Sequence, residues 1–128
     1  MIVDSSAVLA ILLGEPDARR FAAAIMGAHP CRMSVANVLE ASIVVEHRGG
    51  EQAAHNLDEL LERAEIESVP VTAEHLEAAR LAWRRFGRDN HPAALNFGDC
   101  FAYALARTTG EPLLFKGDHF ARTDIESA

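Results

Sequence analysis

Three carboxylates stand alone in apolar stretches of this sequence. Asp4, Glu40 and Asp99 are the only charged side chains in residues 1–14, 33–45 and 92–106, respectively. A carboxylate in apolar surroundings is costly unless another group compensates its charge. Carboxylates that cluster repel one another unless a cation or a proton intervenes. Oxygen ligands of this kind suit Mg²⁺ or Mn²⁺, and a pair of such ions can activate water for phosphodiester hydrolysis.

Each acidic residue also has a simpler explanation when it is taken alone. Asp99 follows Gly98 and can serve as a helix N-cap or a first-turn acid. Asp4 and Asp118 can be turn residues, and Glu40 can be a solvated position on a helix. A shared site is favoured only if the fold brings these residues together, so the order of the elements decides between the two explanations.

Apolar, capping and helix-breaking residues predict an alternation of strands and helices. Strands are predicted at residues 1–4, 31–34, 66–71 and 111–115, and helices at residues 7–13, 16–26, 35–47, 52–64, 73–86 and within 95–106. Ser5 or Ser6 is expected to cap the first helix, and Pro16 is expected in the first turn of the second. Residues 88–98 show no regular pattern.

This alternation predicts an α/β fold with a short, mainly parallel sheet flanked by helices. The length of 128 residues suits one domain that spans residues 1–128. In parallel sheets of this type, ligands bind beyond the carboxyl ends of the strands. Asp4 and Asp118 each follow a predicted strand, so both are expected at that edge.

Four segments in this order and spacing resemble one family over essentially the whole chain. They are "VDSSA" at the start, "VLEA" on the third helix, "LNFGDCFAYALA", and "LLFKGDHF" after the last strand. Together they resemble PIN-domain ribonucleases, and within them the VapC-type toxins of bacterial toxin–antitoxin modules. The resemblance implies a PIN-like fold and a metal-dependent endoribonuclease that inhibits translation, with structured RNA such as transfer or ribosomal RNA as the expected substrate.

The family's acidic quartet carries over onto Asp4, Glu40, Asp99 and Asp118. In the resembled proteins these residues hold Mg²⁺ or Mn²⁺ for RNA cleavage. The resemblance implies that Asp4 and Asp99 are the principal ligands. Glu40 and Asp118 are expected in secondary roles, through water molecules or as a base.

Three further residues accompany the quartet. Ser6 matches the family's small hydroxyl residue near the first aspartate. Asn96 lies in an Asn-Phe-Gly-Asp stretch common in one subgroup of these toxins, and it either orients a ligand, contacts the RNA or is an ordinary loop residue. Lys116 either contacts a phosphate or the acidic cluster, or it is a solvated surface lysine.

The formal net charge of −7 argues against a general nucleic-acid binder. Arg80, Arg84 and Arg88 nevertheless recur at intervals of four and form a local basic stripe. Such a stripe can bind RNA, since phosphate binding depends on the local field. It can equally be a solvated helix face that pairs with Glu74 and Glu77.

The remaining chemistry-bearing residues predict structural roles. Cys31 and Cys100 lie far apart without metal-ligand spacing, so both are expected to be small buried hydrophobes. Trp83 and Phe86 are expected to pack in the core and not to stack on bases. No apolar stretch approaches the roughly 20 residues of a membrane helix, and the start lacks the features of a signal peptide, so we expect a cytoplasmic protein.

The resemblance also implies two protein partners, a cognate antitoxin and a second copy of the chain. The apolar first, second and fourth helices are expected to receive an antitoxin helix, and another apolar surface is expected to form a homodimer. Two other functions stay open at this point. One is a catalytically silent PIN-like module that binds RNA or protein, and the other is a receiver-like signalling domain.

Overall fold

The computed structural model describes all 128 residues and contains four short strands and five α-helices. In chain order the elements are β1 (Ile2–Val3), α1 (Ser5–Leu12), α2 (Ala18–Met26), β2 (Cys31–Ser34), α3 (Val35–Arg63), β3 (Ile66–Val69), α4 (Ala73–Phe86), α5 (Phe97–Thr109) and β4 (Leu113–Leu114). A single turn of 3₁₀ helix, Phe120–Arg122, follows β4.

The four strands form one sheet in the order β3-β2-β1-β4, and every pairing is parallel. In the register of the sheet, Ile2 lies opposite Arg32 on one side and Leu113 on the other. All strands therefore finish at the same edge, where α1 and α3 begin. The predicted α/β fold with a mainly parallel sheet is confirmed.

Alternate residues of the short central strands face opposite sides of the sheet. Ile2 and Leu113 belong to a hydrophobic cluster with α4 and α5. Val3 and Leu114 belong to a second cluster with α1, α2 and α3. The helices thus cover both faces of the sheet, and two-residue strands suffice because each residue is anchored in a core.

Two predicted details at the helix starts are wrong. Asp4, and not Ser5 or Ser6, caps α1, because its carboxylate accepts the Ser6 N–H and Ser5 is already helical. Pro16 is not in the first turn of α2. It lies in a turn that the hydrogen bond from Ala18 N–H to the Glu15 carbonyl closes, and α2 begins after it.

The predicted break between the third and fourth helices is present as a kink. Gly50 has φ 64° and ψ −156°, which interrupts α3 in the middle of its length. Glycine adopts such a positive φ without the steric cost that a side chain brings. The two helical halves follow each other directly, so they are the two arms of one bent element.

Of the cysteines and aromatic residues that were expected to be buried, all but Trp83 are. Cys31, Cys100 and Phe86 are buried as predicted, whereas the Trp83 side chain is 44% exposed. Burial raises the pKa of the Cys100 thiol to about 11, so this side chain stays protonated at neutral pH. No helix is long and apolar enough to cross a membrane.

Candidate active site

Asp4 stands where β1 ends and α1 begins, at the carboxyl edge of the sheet. Its Oδ2 atom accepts hydrogen bonds from the Ser6 N–H at 3.0 Å and from Ser6 Oγ at 2.5 Å. Ser6 Oγ in turn accepts the Lys116 N–H at 2.9 Å. The chain that leaves β4 is therefore tied through one hydroxyl to the carboxylate that follows β1.

The second oxygen of Asp4 has no partner. The residue is only 3% exposed, and its Oδ1 atom is buried and accepts no hydrogen bond. Burial raises the pKa of Asp4 from 3.8 to about 6, against the hydrogen bonds from Ser6. The negative charges of Asp99 and Glu40 add to this rise, so the three carboxylates lie close enough to repel one another.

Glu40 reaches the same place from α3. Its Oε1 atom accepts a hydrogen bond from Ser5 Oγ, one residue after Asp4. A Cβ atom at Gly98 would collide with the Glu40 carboxylate. The glycine therefore opens the space that lets a long acidic side chain of α3 lie against the start of α5.

Asp99 lies in the first turn of α5 and is only 9% exposed. It forms a capping box with Asn96, in which Asp99 N–H donates to Asn96 Oδ1 at 2.8 Å and Asn96 N–H donates to Asp99 Oδ2 at 2.9 Å. Asp99 is thus the first-turn acid that one simple explanation predicts. Because the carboxylate accepts the Asn96 N–H through Oδ2, its other oxygen stays free for a ligand.

Two residues at the site carried no signal in the sequence. His119 Nδ1 lies 3.0 Å from Asp99 Oδ2. Asn37 is fully buried and donates from Nδ2 to the Gly98 carbonyl at 2.9 Å, which fastens α3 to α5 beside Glu40.

Asp118 and the Lys116 side chain form no hydrogen bond or salt bridge with the three clustered carboxylates. Asp118 is exposed and makes no hydrogen bond or salt bridge. Lys116 Nζ forms ion pairs with Glu15 and with Asp17, the latter at 3.0 Å. These bonds raise the pKa of Lys116, and they direct the cation to the start of α2 and not to the acidic cluster.

No arginine or lysine lies within salt-bridge distance of Asp4, Glu40 or Asp99. No three side chains among His, Cys, Asp and Glu are arranged to enclose a metal ion by themselves. Mg²⁺ is commonly held by one or two carboxylates, with water as its other ligands. The unpartnered oxygen of Asp4 and the absence of a neighbouring lysine or arginine therefore fit a divalent cation of this kind.

Comparison with known proteins agrees with the fold and shows the family. The PIN domain family model matches residues 1–126. The VapC ribonuclease Mb0640 of Mycobacterium bovis is 49% identical over 98% of this chain and 95% of its own length. The ribonuclease VapC of Mycolicibacterium smegmatis is also 49% identical, over 98% of this chain and 97% of that protein.

A solved structure shares the architecture at lower identity. The crystal structure of Mycobacterium tuberculosis VapC20, described as a Sarcin-Ricin loop cleaving toxin, superposes with a TM-score of 0.81 and 18% identity. The superposition covers 99% of this chain and 97% of that one, and it shows a common fold. With a family model over nearly every residue and relatives at half identity, the chain belongs to the PIN-domain family and, within it, to the VapC ribonucleases.

Proposed function

We propose that this ribonuclease is the toxin of a toxin–antitoxin module and that it cleaves RNA endonucleolytically with Mg²⁺ or Mn²⁺. One observation carries the proposal: Asp4 is buried with an unpartnered oxygen beside two other carboxylates, and no lysine or arginine pairs with the cluster. A bound divalent cation removes this electrostatic cost. The proposed reaction is RNA hydrolysis because the relatives are named ribonucleases.

The free oxygens of Asp4 and Asp99 are the atoms that would hold the cation. When bound, Mg²⁺ or Mn²⁺ activates water for attack on phosphorus and stabilises the leaving oxygen. Glu40 lies beside the pair and is suited to bind a ligand water or to accept a proton. We assign Asp118 only an auxiliary role, because its exposed side chain lies outside the hydrogen-bonded cluster.

Ser6 and Asn96 act on the ligands through hydrogen bonds. Ser6 fixes one oxygen of Asp4 with two donors, which leaves the other oxygen for the cation. Asn96 holds Asp99 in the same manner through the capping box. We propose both as positioning residues, since outer partners of metal ligands set ligand orientation and affinity.

For the substrate we propose structured RNA such as transfer or ribosomal RNA. The relative with the common fold is described as cleaving the Sarcin-Ricin loop. We propose a cognate antitoxin and a second copy of the chain as protein partners, following the family. An uncompensated acidic site attracts a basic antitoxin segment. We also propose that residues 1–128 form one domain, because both hydrophobic clusters pack on one sheet.

The decisive experiment incubates the antitoxin-free protein with labelled transfer and ribosomal RNA in Mg²⁺ or Mn²⁺. Cleavage that stops with a chelator and in Asp99→Asn is the expected result. Cleavage that persists in both controls would refute the metal-ligand assignment. RNA that is bound but never cut under any metal condition would instead identify a catalytically silent binding module.

A further inference from the structure

A groove runs between α4 and α5 and ends at the active site. Its volume is about 550 Å³. Its lining includes Arg80, Trp83, Arg84, Arg88, Asn96 and Phe97. Asn96 belongs both to this α4–α5 groove and to the capping box of Asp99, so a ligand in the groove lies next to the acidic cluster.

Aromatic rings in the groove are open to solvent. Phe97 is 79% exposed and Trp83 is 44% exposed. The Phe97 ring packs edge-to-face with Phe101, with the centroids 4.9 Å apart, and it remains largely exposed. A cluster of exposed rings beside polar groups marks a binding surface, since isolated exposed apolar residues are common but clusters are not.

The surface of the groove is almost wholly apolar, but three exposed arginines are among its lining residues, in a protein of net charge −7. Arg80, Arg84 and Arg88 line it. Arg84 and Arg88 form no salt bridge, and Arg80 has only an exposed pair with Glu77 at 3.2 Å. Exposed pairs of this type contribute little, so three guanidinium groups are available to an anion.

We propose that the α4–α5 groove binds an unstacked nucleotide of single-stranded RNA beside the bond to be cleaved. The base stacks on Trp83 or Phe97, and the neighbouring phosphates contact Arg84 and Arg88. Stacking platforms edged with cations are the common chemistry of single-strand binding. The proposal rests on the ribonuclease function above and adds the requirement that the substrate offers an unpaired base, as a loop in structured RNA does.

A second copy of the chain is the competing occupant, and the charge pattern disfavours it. A twofold interface places the same patch against itself. Arg80, Arg84 and Arg88 would then face their own equivalents, and like charges across an interface are costly. A polyanion satisfies the same arginines and the rings together.

The single tryptophan of the chain is a built-in probe of the groove. In the presence of chelator, which prevents cleavage, a short single-stranded oligouridylate is titrated into the protein while Trp83 emission is recorded. We expect saturable quenching. We expect a matched oligomer of abasic ribose phosphates to bind at least fivefold more weakly, on the scale of one lost base stack.

Two variants and their matched controls separate stacking from charge. Phe97→Ala is expected to weaken oligouridylate binding at least fivefold, whereas Met26→Ala, which alters an equally exposed residue on α2, leaves binding unchanged. Arg84→Gln is expected to lower the slope of log affinity against log salt by about 0.7. Arg19→Gln, on the exposed face of α2, leaves that slope unchanged.

The remaining outcomes separate the groove proposal from the nuclease function. Emission that is unchanged while labelled RNA binds puts the RNA elsewhere. Emission that depends on protein concentration without RNA, together with a dimer in sedimentation, assigns the groove to a second copy. If Phe97→Ala and Arg84→Gln cleave RNA with the kcat/KM of the wild type, the groove proposal is refuted and the nuclease function is retained. RNA that quenches Trp83 emission but is not cut in Mg²⁺ or Mn²⁺ would refute the proposed nuclease function and support the groove proposal.

Discussion

The two ends of the parallel sheet hold acidic side chains in opposite electrostatic settings. Where the strands begin, Glu111 accepts hydrogen bonds from the terminal ammonium of Met1 and from Arg32. Where the strands finish, Asp4 and Glu40 have no basic partner, and Asp99 contacts only the imidazole of His119 and no lysine or arginine. One end is closed by ion pairs, and the other keeps its negative charge free.

The pKa values follow the same division. Burial acts to raise the pKa of Glu111, but the ammonium and Arg32 outweigh it and the pKa falls below its usual range. Burial raises the pKa of Asp4 to about 6, because no cation opposes it there. The first end therefore stabilises the fold, and the second carries a cost that a bound cation relieves.

The largest expected effect is on catalysis at the end of the sheet where the strands finish, which we call the open end. Asp99→Asn removes a charged ligand atom, so we expect RNA cleavage to fall by about 10²–10³-fold or more, the scale of losing one electrostatic group in an active site. Folding should persist, because an amide oxygen can still accept the Asn96 N–H. Measured cleavage rates and circular dichroism test both points. Equal rates in Asp99→Asn and in the distant control Glu111→Gln would contradict the division between the two ends.

A second test asks whether the buried Asp4 charge destabilises the metal-free fold. Asp4 binds a proton more tightly in the folded state than in the unfolded chain. Its favourable contribution to the free energy of unfolding is therefore complete below pH 3.8 and is lost as the pH rises through about 6. At neutral pH the cost reaches about 3 kcal/mol. We expect Asp4→Asn to stabilise the chelated protein by up to that amount at pH 7, and by almost nothing near pH 3.5.

Denaturant unfolding at several pH values measures this difference. Saturating Mg²⁺ should reduce or reverse it, because the cation stabilises only the wild-type site. A destabilised Asp4→Asn protein at neutral pH in chelator would show that the charge is compensated by a group other than a metal ion.

Gly98→Ala tests how tightly the acidic cluster is packed. Helix propensity alone would make this change stabilising, but the new Cβ atom would collide with the Glu40 carboxylate. We expect a loss of about 1–3 kcal/mol, typical of overpacking, and weaker cleavage. In a Glu40→Ala background the penalty should shrink, and a double-mutant cycle measures that coupling. An unchanged penalty would place the clash elsewhere on α5.

At the end of the sheet where the strands begin, removing a carboxylate is expected to destabilise the protein, whereas Asp4→Asn stabilises it. Glu111→Gln removes the acceptor charge for Arg32 and the terminal ammonium, so we expect the protein to lose about 1–2 kcal/mol at neutral pH. Because the folded pKa of Glu111 is lowered, its contribution is present above pH 4.5 and is lost as the pH falls through the folded value. Wild type and variant should therefore converge in acid, and urea midpoints at low and neutral pH check this.

These contrasts also explain which features the sequence could predict. Asp4, Glu40 and Asp99 were recognisable because each lacks a charged neighbour along the chain, which is a local property. The break at Gly50 and the ends of most helices were equally local. The cap of α1 was misassigned because Asp4, Ser5 and Ser6 are all good capping residues and stand side by side.

What could not be predicted depends on contacts between distant segments. His119 is one of six dispersed histidines, and only the path of the chain after β4 brings it to Asp99. Asn37 reads as an ordinary helical residue until α5 packs against α3. The exposure of Trp83 follows from the gap between α4 and α5, which no periodicity of a single helix reveals.

Lys116 gives the smallest predicted effect and the finest test of the comparison. It is the only lysine of the sequence and stands at the open end, yet its ammonium pairs with Glu15 and Asp17 and not with the acidic cluster. Its backbone N–H, which binds Ser6, survives substitution. We therefore expect Lys116→Gln to change kcat/KM by about twofold or less, as for an exposed ion pair. Arg19→Gln is the matched control. A salt slope lowered by about 0.7 in Lys116→Gln alone would mean that this lysine leaves its acidic partners to contact a phosphate of the RNA, and the open end would then supply one cation of its own.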